Sequence, residues 1–198
     1  AIERSTFYGC SNLKNVKLPE SIEKIAMYAF GECQKMSAIK LPDSVMVIEY
    51  FAFAGCSSLA DIRIPTEVEK IDTCTFLNCT NLKSITFYSK VTTVMDSAFD
   101  GCDNLKTVNY KGTKTQWNKL VNSMEENIFA DKKVNITPET GATLKKVNGV
   151  WYYYKDGVRN NATTLVKFNG SWYYVKNGVL STANTLVKYS GKWYHVNG

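Results

Sequence analysis

The sequence predicts a mainly β protein with few short helices, built as two successive repeat arrays. The first is a solenoid of 23-residue repeats whose coils share a parallel sheet; the second is a module of β-hairpins in 21-residue repeats. Three observations carry this reading. Phenylalanine recurs at Phe7, Phe30, Phe53, Phe76 and Phe99, and a cysteine follows each three residues later. Tryptophan recurs at Trp151, Trp172 and Trp193. Asn-Gly pairs stand beside alternating apolar residues in the second array, the strongest short-range hairpin signal. With 198 residues and 44% apolar content the chain can bury a sizeable core.

Each coil of the first array is justified by its columns. Leu13, Met36, Leu59, Leu82 and Leu105 continue the register, as do Val16, Ile39, Ile62, Ile85 and Val108, then Leu18, Leu41, Ile64, Phe87 and Tyr110. The last two columns alternate with period two, so each coil carries a short strand with apolar residues inward. One coil cannot bury that face alone; stacking at about 5 Å per coil builds a continuous spine. Pro19, Pro42 and Pro65 follow the strand in three copies, lacking the amide hydrogen that would extend the ladder. A second apolar pair follows, as in Ile22 and Ile25, Val45 and Ile48, Val68 and Ile71, Val91 and Val94, with Ile2 standing for the first copy. The chain opens at "AIERSTF", within a repeat, and is read as a piece of something longer.

The column Cys10, Cys33, Cys56, Cys79 and Cys102 reads as small buried hydrophobes. Cys74 stands outside it and is expected to be a partly exposed free thiol. Neighbouring ladder thiols could come close enough to oxidise, but five in one row cannot all pair. No C-x-x-C occurs and the single His195 lies outside the array, so the spacing gives no metal site.

The strand positions that alternate outward form a candidate ligand-binding face: Lys17, Lys40, Arg63, Thr86 and Asn109, beside Asn15, Ala38, Asp61, Ser84 and Thr107. Its basic start suits an acidic partner; the competing reading is a solvated sheet face whose charges discourage aggregation. After Gly112 the period stops. Thr113 or Thr115 can cap a short helix through about Val121, with Trp117, Leu120 and Val121 as its apolar side. "KKVNIT" supplies a further strand whose Val134 and Ile136 match the coil columns. Residues 1–136 are thus the solenoid, with 112–136 as its C-terminal cap, and residues 137–143, "TPETGAT", are the linker.

Residues 144–198 form the second array. Each unit runs into a turn at Asn148-Gly149, Asn169-Gly170 or Ser190-Gly191, then an aromatic strand, then a second turn. Single hairpins are marginal in water, and packing between units is the first need the aromatics meet. Either the tryptophan and the third aromatic residue pack while the middle Tyr152, Tyr173 and Tyr194 face out, or the reverse. Trp151, Tyr152, Trp172, Tyr173, Trp193 and Tyr194 are the candidate ligand-binding residues here. Charge separates the arrays: residues 1–111 hold 12 Lys/Arg against 13 Asp/Glu, residues 112–140 four against four, and residues 141–198 eight against one, Asp156. The basic excess either keeps an aromatic module soluble or attracts an anionic polymer.

The five in-register copies of "AF-x-G-C-x-x-L-x-x-I-x-L-P-x-S-V-x-x-I" resemble the BspA-type leucine-rich repeats of microbial surface proteins, with Asn78 replacing the usual glycine and the last two copies losing the proline. The resemblance implies a binding or adhesive scaffold rather than a catalyst. Residues 144–198 resemble the cell-wall-binding, choline-binding or glucan-binding repeats of Gram-positive surface proteins. Those repeats cage a quaternary ammonium between aromatics, partly through a Gly-Trp dipeptide. Here that dipeptide reads Thr143-Leu144, Thr164-Leu165 and Thr185-Leu186, removing one wall, so an envelope polymer is expected before choline.

The two resemblances together imply a non-catalytic, extracellular protein of the bacterial cell surface. Its solenoid would bind a host or microbial surface protein or glycan, and its basic repeats an anionic cell-wall polymer. The alternative is a structural spacer within a larger surface protein. No cofactor is implied. No P-loop, nucleophile elbow or metal-ligand spacing supports an enzyme, no apolar run suits a membrane span, and tight hairpins leave few aromatics for stacking nucleic-acid bases.

Overall fold

The computed structural model describes residues 1–137, 142–155, 158–168, 171–181, 185–189 and 192–196, the last two stretches as backbone only. They fall in two units, Ala1–Thr137 and Pro138–Gly198, each with its own hydrophobic cluster.

The first unit contains β1 (Lys24–Ile25), β2 (Val47–Ile48), β3 (Asp61–Arg63), β4 (Lys70–Ile71), β5 (Ser84–Tyr88), β6 (Thr93–Val94), β7 (Thr107–Lys111), α1 (Lys114–Val121) and β8 (Lys133–Ile136). The main sheet is parallel, in the order β3-β5-β7-β8, with Ile62 opposite Ile85, Ile85 opposite Val108 and Val108 opposite Val134. The expected inward column is therefore real. Its strands begin only at the third coil: Leu18, Ile39 and Leu41 are buried, but their segments stand outside the sheet. Where Pro65 is replaced by Tyr88 and Lys111, β5 and β7 run two residues further than β3, as the restored amide hydrogens allow.

A second parallel ladder, not anticipated as strand, comes from the second apolar pair. β1 pairs with β2 and β4 with β6, burying Ile25, Ile48, Ile71 and Val94. At the third corner Phe7, Phe30, Phe53, Phe76 and Phe99 stack with centroids 5.2 to 5.6 Å apart and planes within 10°. The coil spacing is thus written in the rings. Phe30 N donates to Ala52 O at 2.9 Å and Phe53 N to Thr75 O at 2.9 Å, so this corner is hydrogen-bonded from coil to coil without being strand.

Beside the rings, the thiols of Cys33, Cys56, Cys79 and Cys102 donate to the carbonyls of Phe7, Phe30, Phe53 and Phe76 at 3.0 to 3.2 Å. Cys10 departs from the expected column: it is exposed, whereas Cys33, Cys56, Cys79 and Cys102 each have a preceding coil whose phenylalanine carbonyl accepts from the thiol. Cys74 is half-buried and free. The cap is built from α1 and β8. Thr113 Oγ1 accepts from Gln116 N at 3.2 Å while Thr113 N donates to Gln116 Oε1 at 2.8 Å, a reciprocal capping box. Trp117, Leu120 and Phe129 close over Phe87, Phe99 and Tyr110 and join the same core.

The second unit comprises β9 (Ala142–Val147), β10 (Val150–Lys155), β11 (Val158–Arg159), β12 (Thr164–Phe168), β13 (Ser171–Lys176), β14 (Val179–Leu180), β15 (Thr185–Tyr189) and β16 (Lys192–Val196). Ala142 and Thr143, expected in the linker, open β9 instead. The linker between Thr137 and Ala142 lies outside the described residues. β9-β10, β12-β13 and β15-β16 are the three expected antiparallel hairpins. The first turn has Asn148 at φ 50° and Gly149 at φ 80°, the left-handed pair a tight hairpin requires. The expected turns at Asn169-Gly170 and Ser190-Gly191 lie outside the described residues. The first two hairpins are joined by β14, which pairs with both β10 and β13, while β15-β16 forms a sheet of its own.

Candidate ligand-binding surfaces

On the solenoid, Arg63, Thr86 and Asn109 are register partners on adjacent strands, and β8 adds Asn135 opposite Asn109. Asn135 Nδ2 donates to Asn109 Oδ1 at 2.9 Å, and Asn109 Nδ2 to Thr86 Oγ1 at 3.5 Å, forming a polar ladder along the face. Lys17 and Lys40 occupy the same column in segments outside the main sheet and are exposed, so the five candidates share a column but only three share the sheet.

Arg63 is the anchored member. Its Nη2 donates to Asp43 Oδ1 at 2.7 Å, its Nε donates to Tyr88 Oη at 2.9 Å, and its guanidinium lies 5.0 Å from the Tyr88 ring centroid. Burial works against its charge, yet Asp43 and Tyr88 outweigh that and raise its pKa above the usual arginine value. Asp43, Tyr88 and Asn135 were not legible as site residues. The signal for Tyr88 was present, since an aromatic stands where earlier coils have proline. The neighbouring ladder carries charge pairs: Lys24 with Glu49 at 2.6 Å, Lys70 with Asp72 at 3.0 Å, and Lys90 with the 4%-exposed Glu67 at 2.9 Å.

Another surface escaped the sequence reading. Tyr28 and Phe51 stack at 4.8 Å, Tyr8 meets Tyr28 edge-on at 5.5 Å and Tyr50 meets Phe51 edge-on at 5.9 Å, with Tyr8 53% and Tyr50 43% exposed. Tyr28 and Phe51 hold φ of 56° and 59°, uncommon for bulky residues. Gly31 makes the cluster possible, since a Cβ there would stand 2.9 Å from Tyr8 Cδ2.

In the hairpin unit both expected orientations occur, one in each of the first two repeats. Trp151 and Tyr153 pack toward the cluster of Leu144, Val166 and Val175, whereas in the next repeat it is Tyr173 and Val175 that do so and Trp172 is 40% exposed. Flanking residues account for the exchange. Lys145 on β9 and Arg159 on β11 flank the face of Tyr152 and Tyr154, and their equivalents beside β13 are Val166 and Leu180. The same face carries two cations over Tyr152 and the buried Tyr154 in one hairpin and aliphatic core in the next. Trp193 and Tyr194 lie on β16, their side chains outside the description.

Cations cover the aromatics of the first hairpin. Arg159 Cζ lies 3.6 Å from the Tyr152 centroid, Lys145 Nζ 4.9 Å from Tyr154 and Lys146 Nζ 5.9 Å from Trp151. Among the described residues no group of three or more His, Cys, Asp or Glu could hold a metal, and no helix is long and apolar enough to cross a membrane.

The model of the BspA type leucine rich repeat region matches residues 1–135 in six copies, and that of the choline-binding repeat matches residues 143–158, 161–181 and 182–198. No curated protein matches the chain. Among solved structures, a leucine rich repeat protein from T. pallidum is 30% identical over 67% of this chain and 64% of its own, with a TM-score of 0.52. One from Bacteroides ovatus is 32% identical over 67% of this chain and 32% of its own, with a TM-score of 0.53. A leucine rich cell surface protein from Faecalibacterium prausnitzii is 31% identical over 54% and 34%, with a TM-score of 0.45. The chain thus spans less than two thirds of each of these proteins. Both repeat families are typical of bacterial surface proteins and generally non-catalytic. With five phenylalanine coils in register, a parallel sheet on the expected column and a family match over residues 1–135, the chain belongs to the BspA-type leucine-rich repeat family, and it carries choline-binding repeats after the solenoid.

Proposed function

We propose that the chain is a non-catalytic binding protein of the bacterial cell surface. Its solenoid takes a protein or glycan ligand on the strand face, while its basic aromatic hairpins associate with an anionic wall polymer. The observation that carries the first half is the polar column itself. Arg63, Thr86, Asn109 and Asn135 repeat at the strand spacing of about 5 Å and are tied to one another or to Asp43 and Tyr88, so their donors and acceptors are held before a ligand arrives. Lys17 and Lys40 extend the column with positive charge. The second half rests on eight Lys/Arg against one acidic residue in 141–198 and on the choline-binding repeat match.

The test pairs two assays of the intact chain: retention on purified peptidoglycan–teichoic acid sacculi, and binding to arrays of glycans and surface-protein fractions. A quadruple variant, Lys17→Ala, Lys40→Ala, Thr86→Ala and Asn109→Ala, should keep sacculus retention and lose array binding by tenfold or more. Array binding unchanged in this variant sinks the strand-face site. No binding in either assay leaves the spacer reading as the better one.

A further inference from the structure

The hairpin unit carries aromatics of the kind that could cage a quaternary ammonium, but its own cations already stand over them. Tyr152 and Tyr154 lie between Lys145 on β9 and Arg159 on β11, with cation-to-centroid distances of 4.9 and 3.6 Å. Trp151 has Lys146 directly opposite in the antiparallel register and 5.9 Å from its ring. That last pairing is not confined to one repeat. Lys167 is opposite Trp172 and Lys188 is opposite Trp193, so each hairpin sets a lysine across from its tryptophan. A free ammonium approaching these rings meets like charge and must displace a tethered cation that pays no association entropy. An anion meets the opposite situation: cations held against ring faces, with Lys146 and Arg159 exposed, and one acidic residue, Asp156, in residues 141–198.

We propose that the hairpin unit is a receptor for phosphodiester-linked wall polymers, with Lys145, Lys146 and Arg159 as the contacting cations and Trp151, Tyr152 and Tyr154 as the platforms that position them. Quaternary ammonium is not its ligand. The inference rests on the envelope-association reading above and names its chemistry: the aromatics act on the polymer through the cations. Lys167 and Lys188 repeat the Lys-opposite-Trp register along the array and supply further charge for successive phosphates.

The experiment uses the full chain with poly(glycerol phosphate) free of choline as the polymer probe, choline chloride as the competing probe, and an oligonucleotide of equal charge as the control polyanion. Expected results are binding of the polymer, no displacement by excess choline, and affinity that falls linearly on a logarithmic salt axis. The variant Lys145→Gln, Lys146→Gln and Arg159→Gln should lower affinity on the order of 10–100-fold at low salt and flatten the salt slope by about three ions. The variant Lys145→Arg with Lys146→Arg should retain binding. Tyr152→Leu should weaken binding by several-fold while unchanged circular dichroism reports an intact fold. Release by choline, an unchanged affinity in the Gln variant, or tighter binding of the oligonucleotide would overturn the proposal. Absence of retention on any wall fraction is a different result and would fail the envelope reading itself.

Discussion

Single residues decide more here than the repeat consensus suggests, and the two described Asn-Gly turns show it. Gly149 and Gly178 hold φ of 80° and 76°. A Cβ on Gly149 would meet nothing within 4 Å, whereas one on Gly178 would stand 2.5 Å from Asn160 O and 2.8 Å from Asn161 Cα. Gly149→Ala should therefore cost about 1–2 kcal/mol, the left-handed penalty alone. Gly178→Ala should cost clearly more, because backbone must shift; thermal melting followed by tryptophan fluorescence separates the two. Equal melting temperatures would show that the segment at Asn160 and Asn161 gives way freely. The sequence marked these turns but could not rank them, since the contact comes from Asn160 and Asn161, in the segment after β11.

The cysteine column gives a second prediction at the same scale. Burial, with small contributions from Cys10 and Glu32, pushes the Cys33 thiol from its ordinary 9.0 up to about 11, and Cys56 is raised further by burial. Below the ordinary thiol range both folded and unfolded chains keep these protons, and stability is unaffected. Between about 8.5 and about 11 the unfolded chain loses protons that the folded one retains, so stability falls as pH rises. Urea midpoints from pH 8 to 11 should decline, less steeply in a Cys33→Ala, Cys56→Ala variant. Maleimide should label Cys10 and Cys74 in the native chain and the buried thiols only on unfolding.

At the scale of elements, strength of pattern decided what could be read. The strands β5 and β7 were legible because Ile85 and Phe87, or Val108 and Tyr110, alternate in register over several copies. α1 was legible from Thr113, one of two caps on offer, and from Trp117, Leu120 and Val121 as an apolar side; the reciprocal bond of Gln116 was added by the structure. The second ladder was not, because strands of two residues such as β1 and β4 are too short for any periodicity. β14 was hidden for the same reason, though it is what joins the first hairpin to the second. The candidate site was legible as a column, not as a network: spacing gave Arg63, Thr86 and Asn109, while Asp43 and Tyr88 reach Arg63 from adjacent coils by geometry that no spacing encodes. The cap supplies the prediction at this scale. Thr113→Ala should cost about 1 kcal/mol. Phe129→Ala, removing a ring packed on Phe87, Phe99 and Trp117, should cost about 3–5 kcal/mol and uncover the final coil. Light scattering should detect self-association in Phe129→Ala alone, and a monomeric, well-folded Phe129→Ala chain would show that the last coil needs no lid.

For the whole molecule, the two arrays reach stability by different routes. The solenoid adds one coil after another to a continuous core running from Leu18 to Phe129, each coil stabilised by its neighbours. Among the described residues the hairpin unit gathers a small cluster, Leu144, Tyr153, Val166 and Val175, beside which Lys145 and Arg159 lie over Tyr154 and Tyr152. Apolar burial at roughly 25 cal/mol per Å² makes the larger core the more stable one. Calorimetry should resolve two transitions, the hairpin unit melting first. Three of the four tryptophans, Trp151, Trp172 and Trp193, belong to that unit, so fluorescence should follow the lower transition and leave mainly the Trp117 signal for the upper. Poly(glycerol phosphate) should raise the lower transition alone, in proportion to the logarithm of its concentration once saturating. A single transition that the polymer shifts as a whole would mean that the chain unfolds as one cooperative body, and that ligand taken up by the hairpins stabilises the solenoid as well.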